Sequence, residues 1–137
     1  QNSLTDENRG ETSSDNNVIK PTVAEVKDKY RPTFEMLESQ SRNRLNSLIS
    51  QAKTEYSTKK ANGESVNYGY FYNKYMGAAN SIEASTDAAV YALVEIVKQD
   101  LKNNGLTDTY ADSFITEYEA TKVALRDEIL ANVKASL

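Results

Sequence analysis

A chain of 137 residues has room for one ordinary domain, and 39% hydrophobic with 26% charged residues is the balance of a folded globular protein rather than a disordered one. A formal charge of −4 is the wrong sign for gripping a phosphate backbone, so no nucleic-acid partner is expected. Cysteine and histidine are both absent, which excludes disulfides, thiolate and imidazole nucleophile pairs, and the usual zinc, copper and iron–sulfur ligand sets.

Residues 1–20 begin QNSLTDENRGETSSDNN, with Leu4 as the one large apolar side chain among amides, hydroxyls and acids. Such a segment cannot offset the entropy of ordering, so a disordered polar tail is expected. The first residue is Gln, and the expectation at this point is a removed leader, with a membrane tether upstream of residue 1 as one form of it.

Thr22 and Glu25 form a T-x-x-E capping box. Behind it Val23, Val26, Tyr30, Phe34, Leu37, Leu45, Leu48, Ala52 and Tyr56 recur at steps of three and four, with Ser41 in the one gap, which predicts a helix over about 22–60. Pro32 lies inside it, removes a backbone donor and disfavours helical angles at Arg31, so a kink near residue 31 is expected. Asn62 and Gly63 then break the helix, and Ser65 is the expected cap of the next.

The stretch YGYFYNKYMG, Tyr68–Gly77, tests strand against helix. Alternation of Tyr68, Tyr70 and Tyr72 dies at once. The helical period instead gathers Tyr68, Phe71, Tyr72, Tyr75, Ala79, Ile82, Thr86, Ala89, Val90, Leu93 and Val97 into one stripe, predicting a core-facing helix over about 66–104 whose first hydroxyls reach water. Tyr70 falls nearly opposite that stripe. Gly105 is the expected left-handed terminator, and Thr107 or Asp108 caps a third helix to about 136 with the stripe Tyr110, Phe114, Tyr118, Thr121, Leu125, Ile129 and Val133.

Short loops make neighbours antiparallel, so the sequence predicts an all-α, elongated up-down-up three-helix bundle over 21–137, the longer helices reaching about 57 Å. Ser41 and Thr86 intrude near its middle, where back-bonding to their own helix is the simpler reading than a polar pocket. Val123, Leu130 and Leu137, with Met36, lie off the main stripes. They either widen the core or form a seam for a partner or second copy, and the core is favoured, which leaves a monomer or weak homodimer.

The chemistry is sparse. DLKNNGLTDTYAD, 100–112, imitates a calcium loop around Gly105, but Lys102 and Ala111 occupy two places that need oxygen ligands, so it is read as a corner between helices. Acids alternate with bases along the helices, as in Glu25/Lys29 and Asp127/Lys134, and are read as a solvated surface. No catalytic residue, metal or cofactor is expected, and no apolar run is long enough to span a bilayer.

In organisation alone the chain resembles the small tethered helical proteins of Gram-positive cell envelopes. The resulting expectation is a non-enzymatic, extracellular or cell-surface domain, with the cytoplasm as alternative, that works through contacts with an unknown protein. The runner-up is binding of a small molecule or peptide at the tyrosine-rich bundle end. Candidate contact residues are Tyr70, Tyr68, Tyr72 and Tyr56 there, and Val123 and Leu130 on the third helix.

Overall fold

A computed structural model describes residues 19–136, so the polar tail and Leu137 lie outside the described residues. Three helices, α1 (Val23–Ala61), α2 (Tyr68–Asn103) and α3 (Asp112–Ser136), form an all-α three-helix bundle without strands among the described residues. No described helix is long and apolar enough to cross a membrane.

The helix ends follow local chemistry. The Thr22 hydroxyl accepts the Glu25 N–H at 3.1 Å and the Glu25 carboxylate accepts the Thr22 N–H at 2.8 Å, completing the capping box. Both corners are Schellman turns. Gly63 and Gly105 sit at φ +70° and +72°, and the N–H groups of Glu64 and Leu106 reach back to the carbonyls of Lys59 and Leu101. The cap of α2 is Asn67 rather than Ser65, its side chain accepting the Tyr70 N–H at 3.0 Å. Thr107 precedes a 3-10 turn, Asp108–Ala111, before α3 begins.

α1 runs through Pro32 as one continuous helix. The proline ring and Asp28, whose carbonyl loses its donor, both face solvent, while Arg31 is held in place by Glu117 and by the Phe114 ring of α3. Tertiary contact outweighs the local preference of the residue before proline.

The core occupies one half of the bundle. Val90, Val97 and Leu101 of α2 are fully enclosed by Val26 and Phe34 of α1 and by Ala111, Phe114 and Tyr118 beyond the second corner. Phe34 and Phe114 stack with centroids 4.1 Å apart. From Arg42 to Ser85, by contrast, no residue is buried. Ser41 and Thr86 mark the border, and the Thr86 hydroxyl donates back to the Ile82 carbonyl at 3.0 Å, the back-bond expected of it.

Tyrosine hydroxyls clip the helices together, each on a carboxylate that a lysine also holds. Tyr30 donates to Asp100 at 2.6 Å beside Lys29, and Tyr75 to Glu55 at 2.5 Å beside Lys74, which fixes α1 against α2 at both ends. Tyr118 donates to Asp87 at 2.5 Å beside Lys122, fixing α2 against α3. The Tyr75 hydroxyl is therefore bonded rather than wet. Burial, followed by the Asp87 carboxylate, pushes the Tyr118 hydroxyl well above the usual phenol range, and the Lys29 and Tyr30 bonds hold Asp100 below the usual carboxylate range. Of the charges read as a solvated surface, Glu25 caps its helix and Lys29 reaches Asp100 on α2.

Candidate functional site

α1 and α3 run parallel. Lys27 donates to Ser113, Arg31 to Glu117 at 3.5 Å, and Arg42 to Glu128 at 2.8 Å, each pair separated by 86 positions. Arg126 and Lys122 of α3 meet Glu83 and Asp87 of α2 in antiparallel pairing, which brings the end of α3 level with the α2 turn around Asn73. Past that turn α1 and α2 continue as an arm to the corner at Gly63.

The face this exposes is defined by geometry. Eighteen residues make five helical turns at about 100° per residue, so Tyr68, Tyr72 and Met76 hold the same angular positions as Thr86, Val90 and Val94. The first three are 65%, 63% and 41% exposed; the second three are 6%, 0% and 1% exposed. On α1 the same shift sets Ala52 where Phe34 stands in the core, so a methyl replaces a ring near half-buried Tyr56.

One edge of this face is basic. Arg31 and Arg42, the residues that hold the acidic edge of α3, are spaced about three turns apart, and Lys53 follows at the same interval past the end of α3. Lys53 is exposed and makes no ion pair among the described residues. Lys60, about two turns further on, lies over the Tyr56 ring at 5.6 Å from its centroid. The facing edge of α2, where Glu83 and Asp87 engage Arg126 and Lys122 of α3, carries Met76 and Asn80 here and is neutral.

The sequence-predicted residues divide. Tyr70 is 62% exposed on the side away from the stripe, as expected. Tyr68 and Tyr72 were expected on the core-facing stripe and are solvent-exposed. Tyr56 meets Phe71 edge-on at 6.3 Å, and Phe71 meets Tyr75 at 4.9 Å, so these rings rather than Tyr68 and Tyr72 close the hairpin. Val123, Leu130 and Met36 do not widen the core, at 55%, 53% and 50% exposure, since the side of each helix on which they lie has no neighbour. Tyr56, Tyr68 and Tyr72 belong to the arm; Val123 and Leu130 stand on the outer side of α3. Sequence reasoning missed Met76, Ala52 and Lys53, although the shorter third segment and the matching spacing of Arg31/Arg42 and Glu117/Glu128 carry the signal.

The imitation calcium loop is occupied by pairing. Asp100 receives Lys29, Tyr30 and the Asn104 amide, and Asp108 pairs with Lys102 at 3.4 Å. A crevice of about 100 Å³ opens between α1 and α3, lined by Arg31, Phe34, Glu35, Glu38, Phe114, Glu117 and Thr121. It is well below the size of ordinary ligand sites.

Burial in that crevice raises the Glu38 carboxyl above its usual range, and Glu117 and Glu35 add repulsion. A carboxyl with a raised folded-state pKa binds its proton more tightly when folded, so its contribution to stability is present at low pH and is lost as pH rises through the folded pKa. Glu38→Gln is therefore expected to raise the thermal midpoint at pH 7 and to lose that advantage near pH 4, measured by circular dichroism. An unchanged difference between the two pH values would contradict a desolvated carboxylate.

No protein-family model, curated protein or solved structure matches this chain. Its function is therefore argued from its own geometry.

Proposed function

We propose that this chain is a non-enzymatic helical interaction domain that binds another protein at the uncovered face of the α1/α2 arm. The observation that carries the reading is the contrast between Tyr68, Tyr72 and Met76 in solvent and their angular counterparts Thr86, Val90 and Val94 in the core. Exposed rings and a methionine contiguous along a face are the composition of interface centres, where tyrosine supplies large contact area at little entropic cost. Support for a non-enzymatic role is the absence of histidine and cysteine, together with lysines and carboxylates used as clips between helices. An exported, envelope-associated setting rests on composition alone.

The reading of the tyrosine-rich end as a small-molecule site is weaker, because Tyr68 and Tyr72 stand apart in solvent and enclose nothing. A photoreactive amino acid at position 72, introduced in the source cells, is expected to capture a discrete protein that the same group at exposed Glu95, in the three-helix half, does not. Failure of both positions to capture anything, or equal capture by both, would remove the arm as the binding surface.

A further inference from the structure

We infer that Asn62, at the corner between α1 and α2, is a site of spontaneous covalent modification, its side-chain amide converted to aspartate and isoaspartate through attack by the Gly63 nitrogen, while the matching Asn104 is locked against the same reaction. Asn-Gly occurs twice in the chain, at 62–63 and at 104–105. Glycine carries no side chain to obstruct approach to its nitrogen, so ring closure is easiest at this dipeptide. The two corners share a backbone. Asn62 at φ −85°, ψ 0° and Asn104 at φ −101°, ψ 13° each follow a helix and precede a left-handed glycine. Each glycine N–H donates to a carbonyl of the preceding helix, Lys60 at 3.1 Å and Lys102 at 3.0 Å, so either ring can close only after its turn opens.

The side chains and surroundings differ. The Asn104 Nδ2 donates to the Asp100 carbonyl at 2.9 Å and to the Asp100 carboxylate at 3.0 Å, and Lys29 and Tyr30 hold that carboxylate in turn. Turning the Asn104 amide toward Gly105 breaks both bonds. Asn62 is exposed, and its amide reaches the exposed Glu64 carboxylate at 3.4 Å. Beyond Gly105, Leu106 packs against the core next to fully enclosed Leu101, whereas residues 62–65 are all exposed and nothing from Arg42 to Ser85 is buried. The Gly63 turn therefore opens locally, and the Gly105 turn opens only when the core does.

In the opened turn the Gly63 nitrogen loses its proton to solvent and bonds to the Asn62 Cγ. The Cγ–Nδ2 bond breaks, and the amide nitrogen takes a proton from water and leaves as ammonia. Water then opens the cyclic imide at either carbonyl, which leaves aspartate or isoaspartate; in all, water is consumed and ammonia released, with no oxidation or reduction. The new carboxylate stands beside Glu64 at the negative end of the α1 dipole, and isoaspartate also lengthens the backbone, so the reaction weakens the turn in which it occurs.

The test holds the full chain at mildly alkaline pH, folded or in urea, and follows tryptic peptides by mass spectrometry with fragmentation that separates aspartate from isoaspartate. Both products are expected at position 62 in the folded chain, at a rate at least about tenfold that at position 104, and the two rates are expected to converge in urea. Asn62→Ser, at an exposed position, is expected to leave the folded chain unmodified over the same period. Equal rates at 62 and 104 in the folded chain, or no conversion at 62 while the chain in urea converts, would overturn the inference. Aspartate without isoaspartate would exclude attack by the Gly63 nitrogen. A difference that persists in urea would assign the selectivity to sequence neighbours and remove the lock on Asn104.

Discussion

Phe114→Ala is expected to lower the free energy of unfolding by about 3–5 kcal/mol, the range for deleting a buried aromatic side chain. The ring is 3% exposed, stacks on Phe34, and lies beneath the cations of Lys27 and Arg31 at 5.2 and 5.4 Å from its centroid. Its removal opens a cavity between α1 and α3 that backbone relaxation cannot close, because both helices are also held to α2. Small domains have about 5–15 kcal/mol in all, so the variant is expected to be partly unfolded well below the parent's midpoint. Tyr72→Ala is the matched control. It removes a larger side chain from the same sequence pattern and is expected to change stability by no more than about 0.5 kcal/mol, since the ring is already in water. Urea denaturation of the two variants measures the difference, and comparable losses would mean that the core extends into the arm.

Native-state hydrogen exchange is expected to divide the same helices internally. Amides around Val90–Leu101 are expected to exchange only through global unfolding, because Val90, Leu93, Val94, Val97 and Leu101 of this stretch are buried. Those of α1 and α2 toward the corner at Gly63 rest on half-buried contacts such as Tyr56 on Phe71 and the exposed Lys74–Glu55 clip. Their opening free energies are expected to lie several kcal/mol below the global value, so that within one continuous α2 protection falls steeply toward Tyr68. Uniform protection along α2 would contradict the two-helix arm. A surface that binds by ordering is drawn from this low-stability end, so the same property that weakens the arm leaves it free to adapt to a partner.

Most of the fold is legible in the sequence because the signals are local. The capping box at Thr22 and Glu25 and the two left-handed glycines need only a few adjacent residues to act, and they set the helix limits. Periodicity then assigns each helix its apolar face. It cannot say whether that face is covered, and Tyr72 and Val90 are indistinguishable on this ground although one is wet and the other enclosed. Coverage depends on the length of α3 and its register against α1, which are properties of pairs of helices. The register is nevertheless written in the chain, in the equal spacing of Arg31 with Arg42 and of Glu117 with Glu128. Pro32 lies inside a helix that continues through it, and the residue before it, Arg31, is held by contacts from α3.

The exposed arm is tested most directly by the nine tyrosines, whose ring signals report solvent access when a neutral soluble paramagnetic agent is added. Strong broadening of Tyr68 and Tyr72, with Tyr118 nearly unaffected, is the predicted result in dilute solution. Protection of Tyr68 and Tyr72 to the level of Tyr118 would show the face already covered within the free protein, and the binding surface proposed for it would not exist.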